Sequence, residues 1–135
     1  MRRIISFKTA ANFSIGIYSL FIAFHFGIIL GILFFDFSLG GYLWGGQMKT
    51  DEQLLLFEFF SLVLMGIFLL LTLIHTGKIK LPGMKKAAKV SMWLLFVFFL
   101  FNTLGNIVAV TVFERTMALI TSILAIMNLR LALEK

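Results

Sequence analysis

The chain contains no cysteine. Disulfide staples, thiolate metal centres and cysteine nucleophiles are therefore excluded. It has one proline, Pro82, so its long apolar stretches carry no proline kink. Charge is scarce as well: Asp, Glu, Lys and Arg make up 13% of the residues, about half the share usual in soluble domains. The histidines are two, His25 and His75. On one continuous bundle they lie roughly 15 Å apart along the axis, which does not suit a bis-histidine haem. No phosphate loop and no nucleophile–base–orienter triad is present, and no cofactor is implied.

What is abundant is apolar surface. Hydrophobic residues are 61% of 135 positions, and the mean hydropathy is +1.05. One domain of this length could not hide so much of it from water, so the lipid bilayer is the expected solvent. Four runs are long enough to cross it: about 12–35, 53–76, 88–110 and 116–133. In hydrocarbon the backbone must satisfy its own hydrogen bonds, so the runs are expected to be helices despite their Phe and Val. The expected fold is all-α, a single four-helix transmembrane bundle over 1–135. Met1-Arg2-Arg3 ahead of an apolar run has the polarity of a signal peptide, and the arginine pair resembles a twin-arginine signal. The run from Ala10 to Phe35, however, exceeds the ~7–15 residues of a signal core, so the first helix is expected to be retained.

Basic residues give a direction. Arg2, Arg3, Lys8, Lys78, Lys80, Lys85, Lys86, Lys89, Arg130 and Lys135 fall on one side of the expected spans, Lys49 and Arg115 on the other. This bias places both termini and the 77–87 loop in the cytoplasm. The net charge of +6 follows the membrane and is no signature of nucleic acid. The 77–87 loop, with its lysines, would attract anionic lipid. The opposite side is acidic, with Asp36, Asp51, Glu52 and Glu114. Its 36–52 loop sets Tyr42 and Trp44 between Gly40-Gly41 and Gly45-Gly46. Two readings stay open: a flexible loop with an aromatic anchor, or a folded cap over the bundle mouth.

Helical spacing sorts the polar residues onto faces. Glu58, Ser61, Met65, Phe68, Thr72 and His75 share one face of the second span. Ser14, Tyr18, His25 and Asp36 share one of the first, beside a Gly27/Gly31 pair suited to close helix packing. Asn102, Asn106 and Ala109, with Gly105 beside them, mark the third. Glu114, Ala118, Thr121, Ala125, Asn128 and Ala132 mark the fourth. An ionisable group at membrane depth is a functional-site candidate with a partner to be found. Glu58 is that group, and His25, Asn102 and Arg115 are its candidate partners. The expected pocket comprises Glu58, His25, Asn102, Asn106, Asp36, Trp44 and Glu114, with Gly27, Gly31 and Gly105 packing helices. No metal is assigned, because the spacing of His25, Glu58 and Asp36 is not diagnostic.

Phe35-Asp36, Trp44-Gly45-Gly46-Gln47-Met48-Lys49, Phe57-Glu58, Asn102-Thr103-Leu104-Gly105-Asn106 and Arg130 together resemble a functionally uncharacterised family of small four-helix bacterial membrane proteins. The stretch from Asp36 to Trp44 is longer than in that pattern, and Gln47 stands where arginine is usual. The resemblance implies a bacterial inner-membrane protein and carries no activity. Three readings of function remain. One is binding or transport of a small polar or cationic solute through an outward-facing pocket. The second is a non-catalytic subunit or assembly factor. The third is a membrane enzyme acting on lipid or quinone. A homodimer or larger complex is compatible with all three.

Overall fold

The computed structural model describes residues 4–134, and the expectations for Arg2, Arg3 and Lys135 lie outside them. Four helices follow one another: α1 (Phe7–Phe35), α2 (Asp51–His75), α3 (Lys85–Ile107) and α4 (Val112–Ala132). They contain 29, 25, 23 and 21 residues. At 1.5 Å per residue, even the shortest is about 31 Å long, enough to cross the hydrocarbon. All four are apolar enough to do so, which makes the chain a multi-pass membrane protein.

Local chemistry sets most helix starts. Ser6 Oγ accepts the amide of Thr9, Thr50 Oγ1 that of Gln53 and Thr111 Oγ1 that of Glu114. Asp51, Glu52 and Glu114 add negative charge in first turns, where the helix dipole favours it. α1 begins before the apolar run because Ser6 caps it, and it ends at Asp36, which turns into the left-handed region (φ 49°). α3 and α4 start a turn earlier than hydropathy suggests, since charged and polar residues such as Lys85 and Glu114 are helical too.

The helices run up and down in cyclic order. The α3–α4 and α1–α2 seams are extensive, and the α1–α4 and α2–α3 seams are smaller. At one end, here the basic end, Arg130 Nε donates to Ile5 O and His75 Nε2 pairs with Leu131 O. At the acidic end, Trp44 and Gly45 join the 36–50 loop to α2 and α4.

Apolar side chains lie on the outside as well as inside. Phe34, Phe101, Leu56 and Leu119 are all more than two-thirds exposed in the isolated chain, as a lipid-facing surface requires. The main core fills the basic half around Tyr18, whose ring meets Phe68 at 6.1 Å and Phe99 at 5.8 Å. Polar groups are buried among these residues, and most are satisfied in place, Ser14 Oγ and Asn128 Oδ1 excepted. Thr72 and Thr103 back-bond to Phe68 O and Phe99 O, Thr103 also reaches Thr121, and Asn128 Nδ2 donates to Tyr18 Oη at 2.7 Å.

Two packing expectations require correction. A Cβ added at Gly27 or Gly105 would meet nothing within 4 Å, while one at Gly31 would meet Phe37 of the following loop at 3.4 Å. These glycines form no helix–helix seam within the chain. Buried alanines occupy that role: Ala10, Ala11, Ala88, Ala125 and Ala132. The inward face of α3 is also rotated from the expected one. It carries Ala88, Met92, Leu95, Phe99 and Thr103, leaving Asn102 exposed.

Candidate functional site

The site starts from one residue, Glu58, two turns into α2 and 1% exposed. A carboxylate at that depth is costly unless both oxygens find donors. Both do. Oε2 lies 2.6 Å from His25 Nδ1 on α1, and Oε1 accepts from Trp44 Nε1 at 2.9 Å. Three elements thus converge on one carboxylate: a helix, its antiparallel neighbour and the loop joining them.

That loop is a folded roof. Leu39 O accepts the amides of Tyr42 and Leu43, closing a turn. Trp44, Gly45 and Gly46 then follow with φ of 54°, 70° and 69°. Two glycines in succession permit this left-handed run at little cost, and Trp44 bears the strain that remains. Its effect is to turn the Trp44 indole toward Glu58 and the Gly45 amide toward α4. Gly45 N donates to Glu114 Oε1 at 2.9 Å, and Thr111 Oγ1 donates to Glu114 Oε2 at 2.7 Å. Leu43, 7% exposed, packs with Ile28 and Leu54 under the roof, backed by Phe24, Ile32, Leu39, Met48 and Phe113.

Beneath lies a pocket of about 580 Å³, within the ~300–1,000 Å³ range of small-molecule sites. Its walls are mostly aromatic and aliphatic, with Phe21, Phe24, Phe60, Phe98, Phe99 and Phe113 prominent. The polar groups gather toward the acidic end: Glu58, His25, Trp44, Glu114, Asn102 and Asn106, with Ser61 and Thr121 further in. No lysine or arginine lines it. Two carboxylates facing one imidazole give the pocket an acidic character. Among the described residues no group of three or more His, Asp or Glu could hold a metal ion.

Six of the seven expected pocket residues therefore line one cavity. The exception is Asp36: it is exposed, it ends α1 as a left-handed cap, and it lies outside the pocket. The helical stripe that grouped it with His25 stops where the helix does. Of the candidate partners of Glu58, His25 pairs with it. Asn102 instead accepts from Asn106 Nδ2 at 3.1 Å. Arg115 turns away to the carbonyls of Ala109 and Val110. Sequence reasoning missed Thr111 and the Gly45 amide. The Thr-x-x-Glu spacing at Thr111 and Glu114 was a visible signal of a helix start, but nothing local revealed that Glu114 would hold the roof.

Comparison of the chain with protein-family models, with curated proteins and with solved structures finds no match.

Proposed function

We propose that this protein binds a small molecule with an apolar body and a cationic or hydrogen-bond-donating head, the head resting on Glu58. The observation that carries this reading is a buried carboxylate at the polar end of an aromatic pocket that no lysine or arginine lines. The acidic lining selects the head, and the phenylalanines suit a body of drug-like size rather than a bare hydrated ion. His25 orients Glu58, and Trp44 holds the remaining oxygen until a stronger donor replaces it. A charge-assisted bond from an ammonium group is such a donor.

Carriage of that molecule across the bilayer is an extension of the same reading, and in a chain of this size a homodimer would help enclose the path. The positive-inside bias puts the basic end in the cytoplasm, so that Lys78, Lys80, Lys85, Lys86 and Lys89 face anionic headgroups and the roof faces out. A bacterial inner membrane fits both that bias and the motif resemblance.

The test uses dansylcadaverine, an aromatic primary amine, with purified protein in phosphatidylcholine vesicles. Energy transfer from Trp44 to the dansyl group reports binding, in a Trp93→Phe background that leaves Trp44 as the only tryptophan. Glu58→Gln preserves the side-chain shape and removes the charge. Loss of affinity of tenfold or more is expected. Equal binding by the two proteins would discard the reading and favour a subunit whose polar interior only holds helices together.

A further inference from the structure

The pocket has a roof and a floor, and one of its sides is poorly closed. Its floor includes the ring contacts that join α2 to α3, Phe68 with Phe98 at 5.1 Å and with Phe99 at 5.9 Å. Its roof is the 36–50 loop, fixed by two carboxylates and by Leu43 packed beneath. On the α1–α4 side, Phe24 stacks on Phe113 at 5.8 Å and closes that seam at pocket level.

The α2–α3 side has no such pair above Phe68. This is the smallest of the four seams around the bundle. Phe60, 63% exposed, and Asn102 line the cavity on this side and also reach the surface; on the α1–α4 side Leu20, 58% exposed, does the same one turn below the Phe24–Phe113 stack. What sets the α2–α3 side apart is an exposed amide at the opening with no aromatic pair above it. Asn102 stands at this opening about a turn and a half inside the end of α3, where an amide is costly against acyl chains, and Asn106 follows it in the last turn. Their mutual bond uses one donor and one acceptor of the pair. The remaining amide groups suit a polar head passing from the bilayer toward Glu58.

We infer that the pocket is entered sideways, between α2 and α3, and that its occupant is a membrane-resident amphiphile with an ammonium-type head. This rests on the binding reading above and adds its route and source. The roof stays in place while the ligand exchanges. Phe60 and Phe98 receive the apolar body, and the Asn102/Asn106 pair passes the head to the carboxylate. A water-dissolved solute would instead have to lift the roof, breaking both carboxylate contacts and uncovering Leu43.

The natural chain has no cysteine, so thiol bridges can be placed singly. A Cβ at Gly40 would lie 3.6 Å from Met48 Cβ, inside the ~3.5–4.5 Å range of disulfides. A Gly40→Cys/Met48→Cys disulfide therefore staples the roof. A Phe60→Cys/Asn102→Cys pair joined by a short bis-maleimide bars the α2–α3 gap, the same protein before bridging being its reference. Both are made in the Trp93→Phe background, and the rate of dansylcadaverine association is followed by energy transfer from Trp44. Lateral entry predicts that the roof staple changes the rate less than twofold and the portal bridge slows it at least tenfold. The reverse pattern, or no slowing by the portal bridge, would overturn lateral entry while leaving the binding site standing. If the protein without bridges shows no transfer at all, the binding reading fails and this inference falls with it.

Discussion

Glu58 Oε2 and His25 Nδ1 lie 2.6 Å apart across the α1–α2 interface, and the carboxylate is almost fully buried. The pair couples helix packing to pocket chemistry, since the contact that pins α1 to α2 also aims the carboxylate. Breaking a buried pair from one side leaves a charge uncompensated, at a cost of about 3–5 kcal/mol. His25→Leu and Glu58→Leu are each expected to destabilise the bundle, by up to about that much. The double change should cost clearly less than the sum of the two. Denaturation in mixed micelles would show this, and strict additivity would mean that the two groups do not interact.

Trp44 is held by one bond to Glu58 and by an edge contact with the Phe57 ring at 5.0 Å. Trp44→Phe keeps the ring contact and removes the N–H donor. A loss of about 1.5–3 kcal/mol follows for a hydrogen bond to a charged group. The same change frees Oε1, so dansylcadaverine should bind more tightly, read by dansyl emission alone. Weaker binding would show that Trp44 is a wall of the site rather than a competitor for it.

Roof geometry makes a paired prediction at two glycines. Gly46 has φ of 69°, and a Cβ there would lie 3.1 Å from Gly41 O; at Gly41 a Cβ meets nothing within 4 Å. Gly46→Ala should cost about 1–3 kcal/mol of local strain and loosen the roof, whereas Gly41→Ala should be nearly silent. Limited proteolysis of the 36–50 loop distinguishes them, and equal protection in both variants would refute the left-handed turn.

How far the sequence revealed this site depended on how each element is specified. Along α2, steps of 3 and 4 placed Glu58, Ser61, Met65, Phe68 and Thr72 on one face, and all five are buried. A helix with one interior face is legible because spacing alone determines it. On α3 the most polar residues pointed one position around from the buried face, although Asn102 and Asn106 both line the cavity. Thr103 buries easily by bonding back to Phe99 O, whereas Asn102 sits one position around the helix, at the opening. Polarity is a poor guide to burial when a hydroxyl can satisfy itself in place, whereas an amide, as at Asn128, leaves its oxygen without a partner. The roof was legible as a glycine-rich loop with a tryptophan. Its contacts to Glu58 and Glu114 span 14 and 69 residues, and no local pattern encodes such pairings.

Gly27 resembled a packing residue and proves to face open space. In a monomer, Gly27→Leu should change stability by less than about 0.5 kcal/mol, as for other surface positions. If two copies associate through this α1 face, the same change should separate them, because leucine keeps backbones apart. Cross-linking in vesicles decides between the outcomes, and a dimer that survives the change would have to use another face.

The basic half of the bundle contains a second polar contact whose completeness can be probed. Asn128 Nδ2 donates both to Tyr18 Oη and to Leu124 O, while Asn128 Oδ1 and Ser14 Oγ are buried without a protein partner. Cross-helix hydrogen bonds in membranes average ~0.6 kcal/mol, with a maximum near 1.7. Tyr18→Phe should therefore cost about 0.5–2 kcal/mol, since it removes the hydroxyl and preserves the ring stack on Phe68 and Phe99. Asn128→Leu removes both donors together with the unpartnered oxygen, so its cost should be smaller than the loss of two hydrogen bonds would suggest. Combining the two changes should cost no more than the worse single one, because each alone leaves the other group without its partner. A double variant that loses the full sum would mean that Tyr18 and Asn128 are stabilised by different neighbours, and the α1–α4 seam would then rest on the Ala10, Ala11, Leu131 and Ala132 packing instead.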